Sequence, residues 1–280
     1  MKFKPFAKRA ARVLALGLGI PLVLLVLFAM IFGDSFIYFP SKYPEGDWQP
    51  ARDSSVVVED VSFAAADGTK LHAWYCKVPD AKATVLLLHG NAGNVTNRYH
   101  YITLLRKTQL AVFIPDYRGY GKSEGKPSES GLTQDAEASY AWLTSHGVAP
   151  ESLILYSESL GCGPAIELAT RVKVAGLILQ CAFSSISDLQ MGVIPIPLGW
   201  VMRTKMANTS KIGRVTCPKL QFHSPADEVI PYKLARRLHD AAAEPRRFVE
   251  YPGLGHNDWP GRYESEWRAE IKQFVAEVVK

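Results

Sequence analysis

Short, almost wholly apolar runs recur along the second half of this chain and limit the folds open to it. Stretches long enough to form helices separate them. Strands that are apolar throughout are typical of a parallel sheet buried on both faces, so the pattern predicts an α/β domain with helices on both sides of a mostly parallel sheet. The runs are Thr84–Leu88, Ala111–Pro115, Leu153–Tyr156, Ala175–Leu179, Lys219–Phe222 and Phe248–Tyr251.

Other elements are predicted around these runs. Two extended stretches, Val56–Ala64 and Lys70–Val78, flank an Asp67-Gly68 turn and predict an antiparallel hairpin ahead of the parallel strands. A helix is predicted over Thr133–His146 with Thr133 as its cap. Two more are predicted over Tyr232–Ala242 and Glu264–Val279, the last with one apolar face.

The N-terminus has the pattern of a membrane anchor. Residues 13–33 carry no charge, and about 20 apolar residues suffice to span a bilayer as a helix. A cleaved signal peptide is the alternative, but its apolar region is about 7–15 residues long and ends at a small-residue cleavage site. This run is longer and has no such site. The predicted organisation is a basic tail over 1–12, a transmembrane signal anchor over 13–33, a juxtamembrane linker over 34–55 and one α/β domain over 56–280.

Charge predicts the orientation of this anchor. The formal net charge is +5, and five cations without an acid lie in residues 1–12. The positive-inside rule therefore predicts a cytoplasmic N-terminus and a translocated domain, periplasmic in a bacterium. With those five set aside, 27 Lys and Arg face 27 Asp and Glu. The domain thus lacks the excess positive charge of a nucleic-acid binder.

The four cysteines, Cys76, Cys162, Cys181 and Cys217, form no C-x-x-C pair. Cysteine spacing therefore predicts no metal site. Buried free thiols are the preferred interpretation, and one disulfide of undetermined pairing is the alternative for an exported domain.

A candidate nucleophile follows the Leu153–Tyr156 run. The sequence Ser157-Glu158-Ser159-Leu160-Gly161 precedes a predicted helix, and a serine on a tight strand-to-helix turn projects its hydroxyl above the sheet. Such a turn needs small residues two positions before and two after the nucleophile. Ser159 satisfies this with Ser157 and Gly161, although the first position is usually Gly. An ordinary capping serine is the alternative for this motif taken alone.

A Gly-rich loop, His89-Gly90-Asn91-Ala92-Gly93-Asn94, follows the Thr84–Leu88 run. Backbone N–H groups at such a strand end can stabilise the oxyanion that forms during acyl transfer. The predicted donors are the backbone N–H groups of Asn91 and of Leu160, which follows the nucleophile. A tight turn without a ligand is the alternative. His89 is predicted to structure the loop rather than to act as a base.

An acid and a base follow two later runs. Asp227 lies after Lys219–Phe222, with Glu228 as the second choice, and His256 lies between Gly255 and polar residues after Phe248–Tyr251. A carboxylate can orient an imidazole, which can then act as general base towards a serine. The order Ser159, Asp227, His256 is that of the α/β-hydrolase triad, so the sequence predicts a serine hydrolase.

The motifs HGNAGN, PDYRGYGKSEGKPSE, SESLG, SPADEVIP and GHND resemble those of the membrane-anchored ABHD-type branch of the α/β-hydrolase superfamily. The resemblance runs from about Phe39 to the C-terminus. It implies an eight-stranded, mostly parallel sheet and no metal or organic cofactor. It also implies a structural role for Asp116, Arg118 and Gly119. Ser157 departs from the family's usual Gly, and His223-Ser224 replaces a common His-Gly.

The substrate class is predicted from residues 183–216, which are inserted before the acid-bearing strand and are apolar over 191–200. An apolar lid over the serine, beside a bilayer, favours an acyl or lipid-like ester or thioester. The alternative is that these side chains pack as core. Two other functions stay open: a peptidase or amidase on the same triad, and a non-catalytic membrane-tethered scaffold. The sequence does not indicate the oligomeric state.

Overall fold

The computed structural model describes residues 17, 19–21, 23–49, 56–193, 199 and 201–279. Its centre is a sheet that has eight strands within these residues. In chain order they are β1 (Glu59–Ala64), β2 (Lys70–Cys76), β3 (Ala83–Leu88), β4 (Leu110–Asp116), β5 (Leu153–Glu158), β6 (Gly176–Gln180), β7 (Lys219–His223) and β8 (Arg246–Glu250). Strands β2 to β7 are buried over nearly their whole length, as the apolar runs predict.

The order across the sheet is β1-β2-β4-β3-β5-β6-β7-β8. Strand β2 is antiparallel to both of its neighbours, β1 and β4. The neighbouring pairs from β4 to β8 in this order are all parallel. The carboxyl ends of β3, β5, β7 and β8 therefore lie along one edge, where function collects in open α/β sheets.

Helices cover both faces of the sheet. One buried cluster contains apolar side chains of α2, α3 and α6, and a second contains those of α1 and α7. The helices are α1 (Tyr99–Arg106), α2 (Glu129–Ser145), α3 (Cys162–Ala169), α4 (Ile186–Val193), α5 (Thr209–Ile212), α6 (Tyr232–Ala241) and α7 (Glu264–Val278). Burial on both faces explains why the strands lack the alternating pattern of half-exposed strands.

The start of α2 differs from the sequence prediction. The helix begins one turn earlier, and Ser128 caps it by accepting a hydrogen bond from the N–H of Gly131 at 3.1 Å. The hydroxyl of Thr133 instead donates to the carbonyl of Glu129 within the helix. Ser and Thr both serve as N-caps. The prediction of Thr133 as the cap was wrong, because Ser128 caps the helix one turn earlier.

Ahead of the domain lies an N-terminal helix, Gly19–Phe36, that is apolar and long enough to cross a membrane by length and composition. Only 6% of this stretch is buried. Of the predicted anchor, residues 13–16, 18 and 22 lie outside the described residues. Of the predicted linker, residues 34–49 are described and 50–55 are not.

The predicted lid is described at its two ends. Phe183 and Met206 are buried in the same core cluster. The side chain of Asn208 donates to the carbonyl of Phe183, and the N–H of Thr209 donates to the carbonyl of Ser184. These contacts close the segment at its base. Residues 194–198 and 200, which carry much of its apolar sequence, lie outside the described residues.

Candidate active site

Ser159 lies on the turn between β5 and α3. It is the first residue of a short 3₁₀ turn, Ser159–Gly161, and has a φ of +50°. A non-glycine residue rarely adopts this left-handed region, and such strain concentrates at functional sites. The packing also demands a glycine at 161, because a Cβ there would lie 2.0 Å from the carbonyl oxygen of Leu88.

Ser157 occupies the position where this turn usually has glycine. The residue is completely buried. Its hydroxyl donates to the carbonyl of Ile178 on β6 at 3.1 Å and lies 3.3 Å from the sulfur of Cys162. The buried hydroxyl of Ser157 therefore has a hydrogen-bond partner, and the core accommodates this side chain.

The structure brings Ser159, His256 and Asp227 together. The Nε2 atom of His256 lies 3.1 Å from the hydroxyl oxygen of Ser159. Its Nδ1 atom lies 2.9 Å and 3.1 Å from the two carboxylate oxygens of Asp227. With the proton on Nδ1, the imidazole donates to the carboxylate and offers Nε2 as the acceptor for the serine proton.

The environment of Asp227 favours its ionised form. Burial raises the pKa of this carboxyl group, but hydrogen bonding and attraction from His256 and the N–H of Ile230 outweigh burial, so its pKa is lowered. The backbone N–H groups of Val229 and Ile230 donate to one carboxylate oxygen at 2.9 Å and 2.7 Å. Asp227 is therefore a fixed, charged acceptor for the imidazole N–H.

Glu228, the second choice for the acid, has a different place. Its carboxylate accepts the backbone N–H of His256 at 3.0 Å. The carboxylate of Asp258 accepts the N–H of Gly255 at 2.8 Å. These two side chains hold the backbone of the loop that carries the imidazole, and Glu228 does so through the backbone N–H of His256.

The loop 89–94, named the oxyanion loop below, is held by its own histidine. His89 is completely buried, and its Nδ1 atom lies 2.8 Å from the carbonyl oxygen of Gly90. Burial, with Arg98 nearby, lowers the pKa of His89 to about 4, so the neutral ring donates through Nδ1. In a trans peptide the N–H points opposite to the C=O. The bond to Gly90 therefore fixes the direction of the Asn91 N–H.

Residues 116, 118 and 119 make structural contacts near the oxyanion loop and in the segment that follows β4. The completely buried carboxylate of Asp116 accepts the N–H of Val95 at 2.9 Å and contacts Nδ1 of His72 at 2.9 Å. The guanidinium of Arg118 binds Asp135 through two nitrogens, and Gly119 has a φ of +81°. These contacts agree with the structural role that the family resemblance implies for residues 116, 118 and 119.

The sequence did not predict a buried ion pair directly before Ser159. Two guanidinium nitrogens of Arg98 each lie 3.1 Å from one carboxylate oxygen of Glu158. Burial raises the pKa of Glu158, but Arg98 outweighs burial and the net pKa is lowered. A pocket of about 150 Å³ opens beside the pair and reaches His256 and Trp259. The two residues are 60 positions apart in the chain, so no local motif connects them.

One set of three possible metal ligands lies within 4.8 Å in the described part of the chain: Cys181, Asp227 and His256. Two of them are already joined by the imidazole–carboxylate hydrogen bond. Burial raises the pKa of the Cys181 thiol well above its usual value, which keeps it protonated. All four cysteines are free thiols; Cys76, Cys162 and Cys181 are buried, as the preferred interpretation of the sequence expects, whereas Cys217 is half-buried.

A sheet in this strand order, with a serine on the turn after β5, defines the α/β-hydrolase class. A family model described as serine aminopeptidase, S33, matches residues 79–209. An uncharacterized protein of Mycobacterium tuberculosis is 36% identical over 227 residues, which are 79% of either chain. Human alpha/beta hydrolase domain-containing protein 17B is 31% identical over 236 residues, which cover 82% of this chain and 80% of that protein.

Solved structures give the same fold. The esterase Pf2001 of Pyrococcus furiosus matches with a TM-score of 0.71 at 18% identity, over 87% of this chain and 99% of that chain. The 31% identity with the human protein over 82% of this chain shows that the chain belongs to the α/β-hydrolase superfamily. This confirms the predicted α/β-hydrolase fold and its mostly parallel central sheet.

Proposed function

We propose that this protein is a membrane-anchored serine hydrolase that cleaves carboxylic ester or thioester bonds. The observation that carries the proposal is the continuous chain of contacts from the Ser159 hydroxyl through both nitrogens of His256 to Asp227. Each contact is within hydrogen-bonding distance, and their order matches the nucleophile, base and orienting acid of a triad.

In the proposed mechanism the Ser159 oxygen attacks the substrate carbonyl carbon while Nε2 of His256 takes its proton. The negative charge that develops on the carbonyl oxygen is met by the N–H groups of Asn91 and Leu160. The imidazolium then gives its proton to the leaving alcohol or thiol as the bond to the acyl carbon breaks. Water, deprotonated by His256, releases the acid and restores Ser159.

The proposed substrate is an acyl or lipid-like ester or thioester. Three exposed apolar side chains lie on segments next to the triad, the oxyanion loop or the predicted lid: Val229 follows Asp227, Phe39 pairs with the oxyanion loop through its backbone, and Met191 lies on α4 within the predicted lid. Apolar groups at a site are suited to an acyl chain, and an anchored enzyme meets such substrates in its own bilayer. The predicted lid, 183–216, is proposed to cover that chain.

A peptidase activity is the second candidate, because the description of the matching family model is serine aminopeptidase. The same His256 could protonate an amine leaving group. Rates on matched ester, thioester and amide substrates that share one acyl chain separate the two proposals.

The lipid-like substrate class predicts faster turnover of long-chain esters than of acetyl esters. Turnover of short, water-soluble esters alone, unaffected by substitutions in 183–216, would contradict the lipid-like class.

The proposed location follows from the N-terminal charge. Five cations precede the apolar helix, which favours a cytoplasmic N-terminus and a catalytic domain on the opposite side of the membrane. The small-molecule or lipid-like substrate and the membrane are the only partners proposed.

The first experiment labels the detergent-solubilised full chain with a fluorophosphonate probe, which reacts with activated serines. Wild type and Ser157→Ala should label, and Ser159→Ala should not. Ser157→Ala is the matched control because it removes a hydroxyl two residues away without touching the triad. A well-folded wild type that fails to label would contradict the proposal and favour a non-catalytic scaffold.

A further inference from the structure

Residues 37–45, named the strap below, connect the N-terminal helix to the oxyanion loop. The helix ends at Phe36. Ile37 and Tyr38 follow at once and are buried, with 8% and 5% of their surface exposed, in the core cluster that also contains Leu160. The helix is therefore joined to the domain by a packed segment and not by a free tether.

The strap forms a short parallel ladder with the oxyanion loop, Phe39–Pro40 against Ala92–Gly93. The N–H of Phe39 donates to the carbonyl of Asn91 at 2.9 Å. The N–H of Ser41 donates to the carbonyl of Gly93 at 3.0 Å. These bonds satisfy backbone carbonyl groups of the loop, which the strands of the main sheet do not pair.

Side chains of the loop also donate to the strap. The amide of Asn91 donates to the carbonyl of Ile37 at 3.1 Å. The amide of Asn94 donates to the carbonyls of Ser41 and Glu45 at 3.2 Å and 2.9 Å. The five hydrogen bonds named here all involve main-chain atoms of the strap.

The contacts converge on the residue proposed as an oxyanion donor. His89 holds the peptide before Asn91 through the carbonyl of Gly90. The strap holds the peptide after it, where the N–H of Phe39 and the hydroxyl of Tyr120 both donate to the Asn91 carbonyl. With both neighbouring peptides fixed, the N–H of Asn91 has one direction. Oxyanion stabilisation requires such preorganised donors.

The other side of the strap reaches the predicted lid. The hydroxyl of Tyr38 lies 3.0 Å from that of Thr204, which donates to the carboxylate of Asp34 at 2.8 Å. The end of the N-terminal helix, the strap and Thr204 of the predicted lid are therefore joined by one set of contacts.

We infer that the strap is a positioning element of the active site: it fixes the Asn91 N–H for the oxyanion and so makes catalysis depend on the segment that emerges from the membrane. This inference rests on the proposed function. Loss of one oxyanion donor lowers kcat by about 10²–10³-fold in a serine hydrolase. Since the strap only orients the donor, kcat is expected to fall by roughly 10–100-fold when the hydrogen bonds between the strap and the loop are removed.

The test uses the full chain in detergent with an ester substrate, and kcat is expressed per serine titrated with fluorophosphonate. Ser41→Pro deletes the N–H that binds Gly93, and Asn94→Asp replaces the amide donor by an acceptor that repels the carbonyls of Ser41 and Glu45. Both should lower kcat about 10–100-fold with KM changed less than about three-fold. Ser41→Ala keeps the N–H of residue 41, so this variant should have the wild-type kcat. Gln49→Pro is the matched proline control because the N–H of Gln49 donates to Asp47 and not to the loop.

The outcomes separate the two proposals. Unchanged kcat per titrated serine in both strap variants, or a rise in KM alone, would overturn the role of the strap and leave the proposed function standing. A fall in titratable serine that accounts for the whole loss of rate would also overturn it, since the strap would then serve folding only. A wild type that neither labels nor hydrolyses esters would overturn the proposed function and the inference with it.

Discussion

At the scale of single residues, Ser157 shows how a turn that usually has glycine accommodates a side chain. The cost of a Cβ depends on what it meets, and Ser157 meets the carbonyl of Ile178, to which its hydroxyl donates. At Gly161 a Cβ would instead meet the carbonyl oxygen of Leu88 at only 2.0 Å. The motif alone identifies both positions as small. It cannot distinguish them, because the difference lies in strands β3 and β6.

The same limit applies to charged side chains around the site. The placement of Asp227 and His256 beside Ser159 was predictable because each follows an apolar strand. The pairing of Glu158 with Arg98 was not, since it depends on how the segment after the oxyanion loop folds back onto β5. Buried charges are stable only when they are paired, but the sequence does not reveal which partner is near.

His89 gives a prediction of pH dependence. Its folded-state pKa of about 4 lies below the value of about 6.5 for an unfolded histidine. The unfolded chain therefore binds more protons between these values, and stability present above pH 6.5 is lost as the pH falls towards 4. From pH 7 to pH 5 this one residue should cost about 2 kcal/mol of unfolding free energy.

The measurement is chemical denaturation in detergent at pH 7 and pH 5. His89→Asn keeps a donor for Gly90 but does not titrate, so it should lose about 2 kcal/mol less than wild type over this range. His146→Asn, at an exposed ring beyond α2, is the control and should follow wild type. Equal losses in wild type and His89→Asn would contradict the prediction.

At the scale of elements, apolar pattern was enough to predict the strands, because burial on both faces leaves little freedom in their composition. Boundaries were less certain: β2 ends at Cys76 and not at Val78, and α2 begins at Glu129. The contacts of residues 37–45 were not predictable, since they are made by main-chain atoms that any sequence carries. A segment rich in aromatics and proline was therefore interpreted as a linker.

The turn between β5 and α3 is the element with the sharpest steric requirement. Gly161→Ala should displace the turn from the end of β3, because the carbonyl of Leu88 cannot move without disturbing the sheet. A shift of about 1 Å at the nucleophile costs roughly 10²-fold in rate. We therefore expect esterase activity and fluorophosphonate labelling rate to fall by about that factor, with some loss of thermal stability.

Gly192→Ala is the control for this substitution. A Cβ at Gly192 on α4 meets nothing within 4 Å, so this variant should label at the wild-type rate. Wild-type labelling by Gly161→Ala would show that the turn adapts, and the steric argument would then be wrong.

At the scale of the whole molecule, the predicted anchor can be tested without knowing the substrate. The full chain should stay in the membrane fraction after alkaline carbonate extraction. In spheroplasts of a bacterial host, added protease should digest the domain. Replacing Lys2, Lys4, Lys8, Arg9 and Arg12 by Gln should reduce the accessible fraction, because the orientation depends on these cations.

Two results would contradict this topology. Release of the full chain by carbonate would show that the apolar helix does not span the bilayer. A domain that resists protease in spheroplasts but is digested after lysis would place the domain in the cytoplasm.

The short distance between the N-terminal helix and the oxyanion loop has a consequence for substrate choice. Only Ile37 and Tyr38 lie between the end of the helix at Phe36 and the ladder residue Phe39, and even a fully extended chain over these steps would span no more than about 11 Å. With the helix in a bilayer, as proposed, the reacting carbonyl must come to a nearly constant depth, close to the boundary between acyl chains and headgroups. The enzyme would then select the bond that it cleaves by the position of that bond along the membrane normal. Bilayers of different thickness would present different bonds to the same triad.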